Sequence, residues 1–388
     1  MRLTALAAHT PEAVRAALAA RGWEDEPARF AARGVQPLTL LLEGITADER
    51  EAFVAWGARA GADVLTGEGW ALVAAAASRL AVLARPDRVP AGLAGVSAQL
   101  AHLLAAHAEP PRCWRIRDGQ ITLDRPVIIG ILNVTPDSFS DGGRYTSADA
   151  AVRHGERLKA DGCGLIDVGG ESTRPGSGGV ALDDEIRRVE PVITALVRAG
   201  LGPISIDTRK AAVARAALAA GAAVVNDVSG FRADPALAGV TAAAGAGAVV
   251  MHMRGTPDTM DGLATDRHLA ADIAAELGAA AGAVEAAGVA REAIVVDPGF
   301  GFAKTAAQNL RLLDELATIV GLGYPVVVGP SRKRFLGVAT GRPVEDRDRA
   351  TATACALAYE RGARLFRVHD VALAREALAL ATATSEPT

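Results

Sequence analysis

Between residues 126 and 370 the chain repeats one pattern eight times: a short apolar run, then a longer stretch of helical periodicity. The runs fall at 127–132, 164–168, 203–206, 223–225, 248–251, 293–296, 325–328 and 365–368. Most are rich in β-branched residues and continuous rather than alternating, which marks strands buried on both faces. The stretches between them, such as 149–161, 183–199 and 210–220, space their apolar residues for one face of a helix. Eight βα units in about 250 residues is the count of a (β/α)₈ TIM barrel. An open doubly wound sheet usually has fewer strands and a GxGxxG turn after the first. No such turn follows residue 132.

A barrel uses only part of 388 residues, so the sequence predicts an α/β barrel with an additional small helix-rich N-terminal domain. Residues 1–110 would form that domain, of unassigned role. Thr10 and Pro11 make a helix start, and Gly22 would stop that helix. Residues 35–43 read as a buried strand, and 46–60, 69–83 and 96–106 as helices. Pro110-Pro111 marks a boundary. Residues 111–125, with the turn signal Asp118-Gly119, read as a hairpin closing the barrel bottom. Residues 126–388 complete the barrel.

Composition narrows the function. The net charge is −4 with both signs mixed along the chain, which gives no basic track for nucleic acid. No run reaches the ~20 apolar residues of a membrane span, and the N-terminus lacks a signal-peptide pattern. Cys113, Cys163 and Cys355 are far apart, which suits a reducing cytoplasm and argues against a zinc site or a disulfide framework.

The polar residues are concentrated where strands end. The eight runs lead into Asn133-Val134-Thr135-Pro136-Asp137, Gly169-Gly170-Glu171-Ser172-Thr173-Arg174, Asp207-Thr208-Arg209-Lys210, Asn226-Asp227, His252-Met253, Asp297, Ser331-Arg332-Lys333 and His369-Asp370. In a barrel all of these ring one mouth, where the βα loops converge and active sites lie. Strand ends are often polar, but that accounts for one or two such clusters, not eight.

The motifs ILNVTPDSFSDGG, GGESTRPG, IDTRK, NDVSG, DPGFGF, SRKRF and RVHD resemble those of the dihydropteroate synthases, in order and spacing, over residues 114–379. The resemblance implies condensation of a dihydropterin pyrophosphate with p-aminobenzoate, releasing pyrophosphate. It also implies Mg²⁺, a homodimer, and competition between sulfonamides and p-aminobenzoate. A pterin-dependent methyltransferase on the same barrel and a catalytically silent pterin-binding paralogue are the alternatives.

By that resemblance the motif residues divide the work. Arg367 and His369, two apart, would grip the pyrophosphate, with Asn133 on the Mg²⁺. Thr173 and Arg174 lie on a loop that would close over the site. Asp297 would accept from the amino group and ring N–H of the pterin, with Asp207 and Asn226 completing that edge and Lys333 donating to the ring. Asp137 and Asp141 would stabilise a cation-like pterin methylene. Phe139 and Phe302 would wall the benzoate ring, and Met253 would pack on the pterin face. Ser331 and Arg334, with nearby amides, would receive the benzoate carboxylate. Each has a plainer structural alternative: a packing salt bridge for Arg367, a core histidine for His369, a helix cap for Asp207 and a core methionine for Met253. Asp227 ranks below Asn226 as a contact. Two positions depart from the common family pattern: Arg334, where Ser is frequent, and Ala303, where Gly is frequent. The latter matters only if a positive φ is required there.

Overall fold

The structure is a computed structural model describing residues 37–134, 147–171, 179–255 and 269–385, apart from 86, 88, 91 and 109. It divides into two compact units, residues 1–109 with 383–388 and residues 110–382.

The first unit, in its described part, has six elements: β1 (Pro37–Glu43), α1 (Ala47–Arg59), β2 (Asp63–Gly67), β3 (Trp70–Ala76), α2 (Ala77–Leu83) and α3 (Ala94–Ala108). The strands pair antiparallel in the order β1-β3-β2. Thr46 starts α1 through a capping box. Its hydroxyl accepts from the Glu49 amide at 3.3 Å, and the Glu49 carboxylate accepts from the Thr46 amide at 2.8 Å. Phe53 and Trp56 of α1 then meet edge to face at 6.0 Å and pack with Ala71, Val73 and Ala75 of β3.

Two readings need correction here. The stretch 69–83 is not one helix, because residues 70–76 are the central strand. Its alanines favour a helix in isolation, but every second residue is buried and β3 pairs on both sides, and tertiary pairing outweighs propensity. β1 is an edge strand with Leu41 46% exposed, not a buried one. In its described part the unit therefore combines three helices with a three-stranded sheet.

The second unit opens with a hairpin, β4 (Cys113–Ile116) and β5 (Gly119–Thr122). Its register pairs Ile116 with Gly119, so the turn is Arg117-Asp118, one residue earlier than the Asp118-Gly119 signal. Asp118 takes the positive φ of 62°, which Asp tolerates. Then come eight parallel strands: β6 (Val127–Asn133), β7 (Leu165–Gly169), β8 (Ile204–Asp207), β9 (Val224–Asp227), β10 (Gly247–Met251), β11 (Ile294–Asp297), β12 (Val327–Val328) and β13 (Leu365–Val368). Their order is β11-β10-β9-β8-β7-β6-β13-β12. A parallel bridge between Val296 and Val326 closes the ring. The eight-stranded barrel expected from the sequence is present.

Around the strands run α4 (Ser147–Ala160), α5 (Leu182–Arg198), α6 (Ala211–Ala219), α7 (Leu237–Ala243), α8 (Leu269–Ala286), α9 (Ala306–Asp314), α10 (Ala317–Val320), α11 (Arg334–Thr340), α12 (Asp348–Glu360) and α13 (Val371–Ser385). Outward strand residues such as Ile166, Ile206, Val250 and Phe366 pack against these helices. Inward ones form a separate deep layer: Ile129, Leu165, Val224, Val249, Val295, Val327 and Leu365, with Trp114, Ile116 and Leu123 of the hairpin segment. Trp114 is fully buried, and its indole donates to the Ala293 carbonyl at 2.8 Å. The N-terminal end of the barrel is thus packed shut, which leaves the C-terminal mouth for chemistry. Among the described residues no helix is long and apolar enough to cross a membrane.

Candidate active site

Side chains alternate along a strand, so two residues above each deep-layer position points inward again. Those next positions are Ile131 on β6, Asp167 on β7, Asn226 on β9, Met251 on β10, Asp297 on β11, Gly329 after β12 and Arg367 on β13. Ser205 and Asp207 are the inward pair on β8. A largely polar layer therefore lies directly on an apolar one, and a small void between them is lined by Asp167, Ser205, Asn226, Asp297 and Arg367 above and by Ile129, Leu165, Val249 and Val327 below.

Arg367 ties the layer together. Its Nε donates to Asp167 Oδ2 at 2.6 Å and its Nη2 to Asp207 Oδ2 at 2.8 Å. Burial alone would lower the Arg367 pKa, but Asp167 and Asp207 outweigh it and hold the guanidinium charged. Asp207 is pushed up to about 7 by burial, with Arg367 opposing and Asp167 reinforcing. Burial likewise raises the Asp297 carboxyl, against the pull of Lys333, while the Gly299 amide donates to its Oδ1 at 2.7 Å. Lys333 is lowered to about 7, burial again leading, with Asp297 opposing and Arg367 adding to the fall. Its ammonium donates to the Phe300 carbonyl and lies 4.1 Å from the Phe302 ring centroid, a cation–π contact. Three carboxylates, Asp167, Asp207 and Asp297, thus face two cations, Arg367 and Lys333. Such a site favours a neutral ligand that brings N–H donors.

Other expected residues sit around this cluster. Met253 is buried with Val228, Met251, Phe302 and Ala303, so Phe302 backs Lys333 and the methionines. His369 Nδ1 pairs with the Ser331 hydroxyl at 2.8 Å. Asn133, exposed at the end of β6, holds its Oδ1 over Gly169, beside Asp207. Arg334 is exposed at the first position of α11, and no described contact joins it to the cluster. Asp137, Phe139, Asp141, Thr173 and Arg174 lie outside the described residues. Asp227 points outward and is spent on its own turn, accepting from the Ser229 amide and hydroxyl and the Phe231 amide, each at 2.7 Å.

The structure adds residues that the sequence reading passed over. Asp167 and Ser205 are buried within strands, and the available signal was one charged residue in the otherwise apolar LIDVG. Lys304 is another. Its ammonium reaches His252 Nδ1 at 3.0 Å and the carbonyls of Gly299 and Phe302 at 3.0 Å, bracing the loop that follows Asp297. Glu276 holds the other ring nitrogen of His252 at 3.1 Å, and burial with nearby Lys304 keeps that imidazole neutral. Ala303 has φ 48°, so the position usually held by Gly does need the left-handed conformation, at a cost of roughly 1–2 kcal/mol.

A parallel barrel with carboxylates, a carboxamide and two cations converging at its C-terminal mouth defines a barrel enzyme built to bind a polar heterocycle. Residues 129–369 match the family described as "Pterin binding enzyme". The chain is 48% identical over 258 residues to the dihydropteroate synthase of Mycobacterium leprae, covering 65% of this chain and 90% of that one. With the Synechocystis sp. dihydropteroate synthase it shares 44% over 257 residues, 65% and 89% of the two chains. Among solved structures, the Xanthomonas albilineans dihydropteroate synthase with 4-aminobenzoic acid matches with TM-score 0.66 at 43% identity, over 72% of this chain and all of that one. The same enzyme in complex with 7,8-dihydropteroate matches with TM-score 0.63 at 42% identity, over 69% and 97%. The chain belongs to the pterin-binding enzymes and, within them, to the dihydropteroate synthases.

Proposed function

We propose that this chain condenses 6-hydroxymethyl-7,8-dihydropterin pyrophosphate with p-aminobenzoate, giving 7,8-dihydropteroate and pyrophosphate. The observation that carries the reading is the convergence of Asp207, Asn226, Asp297, Lys333 and Arg367 on one mouth, in a family whose solved members hold 4-aminobenzoate and dihydropteroate.

An arylamine is a weak nucleophile, so the chemistry depends on leaving-group departure and on tolerating an electron-deficient methylene. Asp297 accepts from the amino group and ring N–H of the pterin, with Asn226 and Asp207 along the same edge, and Lys333 donates to the ring. Arg367 uses Nε and one Nη2 donor on carboxylates; its planar fork keeps further N–H groups for phosphoryl oxygens, with His369 beside it. Carboxylate oxygens facing the pterin methylene would favour a cation-like state there, and Asp137 and Asp141 are assigned the same role from the first loop. Phe139, Thr173 and Arg174 complete the loop assignments. Ser331 and Arg334 are assigned to the benzoate carboxylate.

Mg²⁺ belongs to this proposal. No group of three His, Cys, Asp or Glu able to hold a metal exists among the described residues. A single exposed carboxamide oxygen on Asn133 suits a cation that keeps its waters and takes its other ligands from phosphate. Bound there, it would neutralise the leaving group. A homodimer and a cytoplasmic setting complete the proposal. The three free cysteines support the latter.

Purified protein with pterin pyrophosphate and Mg²⁺ should release pyrophosphate only when p-aminobenzoate is added. Pterin binding without release would point instead to a silent paralogue or a methyltransferase.

A further inference from the structure

Beneath the pterin-facing residues lies a carboxylate that the scheme above uses only as charge. Asp167 is 1% exposed, midway along β7, with Leu165 below it and Gly169 above on the same face. It accepts from three other strands: Ser205 Oγ to Oδ1 at 2.5 Å, Asn226 Nδ2 to Oδ2 at 3.2 Å and Arg367 Nε to Oδ2 at 2.6 Å. A buried carboxylate is costly unless paired, and an apolar residue of similar volume often serves stability better. The charge therefore calls for another reason.

That reason is polarity. An ionised carboxylate can only accept. A carboxamide is nearly symmetric in shape, and nothing but its hydrogen-bond partners decides which end faces where. With an acceptor beneath it, Asn226 must turn its NH₂ toward Asp167 and its oxygen away. Arg367 is fixed in the same manner: Nε is committed to Asp167, which sets the guanidinium plane and brings Nη2 onto Asp207. Ser205 is held too, so its proton points at Asp167 and not into the site.

We propose that Asp167 is a positioning residue that sets the donor–acceptor polarity of the site floor: it holds Asn226 with its carboxamide oxygen available to a ligand N–H, and Arg367 in the plane that meets Asp207. The inference rests on the pterin reading for the identity of the ligand but not for the orientation of Asn226.

Two measurements test it. In ligand-free protein, the Asn226 side-chain NH₂ resonance in a ¹⁵N NMR spectrum, assigned through its loss in Asn226→Asp, should show one proton shifted downfield by the carboxylate. It should move back in Asp167→Asn. In kinetics, Asp167→Asn should raise KM for pterin pyrophosphate about tenfold or more and leave KM for p-aminobenzoate unchanged. The exchanged pair, Asp167→Asn with Asn226→Asp, reverses the bond between the two but keeps one donor facing one acceptor and an acceptor toward the ligand, and should recover most of the loss. An unshifted NH₂ in the wild-type protein would overturn the inference whether or not Asp167→Asn folds. So would equal losses for both substrates, or no recovery in the exchanged pair. A wild-type protein that binds no pterin but shows the shifted NH₂ would sink the proposed function and leave the positioning role standing.

Discussion

Lys333 sits between Asp297, the face of Phe302 and the Phe300 carbonyl, and burial brings its pKa to about 7. A donor to the pterin ring must be protonated, so kcat/KM for pterin pyrophosphate should fall as pH rises through about 7. Arg does not deprotonate in this range; Lys333→Arg should be slower overall but flat between pH 7 and 9. A pH–rate profile of both proteins decides this, and an alkaline limb that survives in Lys333→Arg would assign it elsewhere. The same shift enters stability with a definite sign. Folded Lys333 gives up its proton near pH 7 and unfolded lysine near 10.5, so between these values the unfolded chain binds more protons. The Lys333 contribution therefore becomes more favourable as pH rises from 7 to 10.5. At this scale the sequence was legible where a polar residue stood at a strand end, as with Asp207, Asn226, Asp297 and Lys333. It was poorly legible for Asp167 and Ser205. Their partners lie on strands up to 200 residues away, and no local pattern announces them. Ala303 was legible as a departure, but its positive φ became visible only with the backbone in hand.

The hairpin β4–β5 shows what an element contributes beyond its own two strands. Trp114 fills the N-terminal end of the barrel against Val249, Val295 and Leu365 and satisfies the Ala293 carbonyl. Trp114→Ala should cost about 3–5 kcal/mol, read from denaturant unfolding of the full chain, with KM values little changed because the mouth lies at the other end. A loss below about 1 kcal/mol would mean that the hairpin does not plug the barrel. The eight barrel strands were readable because each is a short, continuous apolar run bounded by polar punctuation. The stretch 69–83 was not, because alanine fits either a helix or a small-residue strand, and only the two flanking strands decide between them. The turn at Arg117-Asp118 slipped by one residue for a similar reason, since Asp118 and Gly119 both tolerate positive φ.

At the level of the whole molecule, the family match begins at residue 129, and relatives covered over 90% of their length correspond to only 65% of this chain. The second unit has its own two-layer core and includes every assigned site residue. Residues 110–388 expressed alone should fold cooperatively and keep kcat/KM within a few-fold of the full chain. An insoluble or inactive fragment would show instead that the first unit is required. Sequence separated the two units through Pro110-Pro111 and the change of periodicity, yet of the three-stranded sheet in the first it showed only β1.

The bond from Asp167 to Arg367 spans 200 residues, and this has a consequence for how the protein is made. At about 5–20 residues per second, a ribosome needs roughly 10–40 s to travel from the second barrel strand to the last. For the last 160 residues of that stretch Asp207 is present as well, and neither carboxylate yet has the guanidinium that lies between them in the finished protein. β13 then brings the ladder that joins β12 to β6 together with the charge that pairs both carboxylates. The ring of strands therefore closes only after its final strand has emerged, and the floor of the site is completed in the same step.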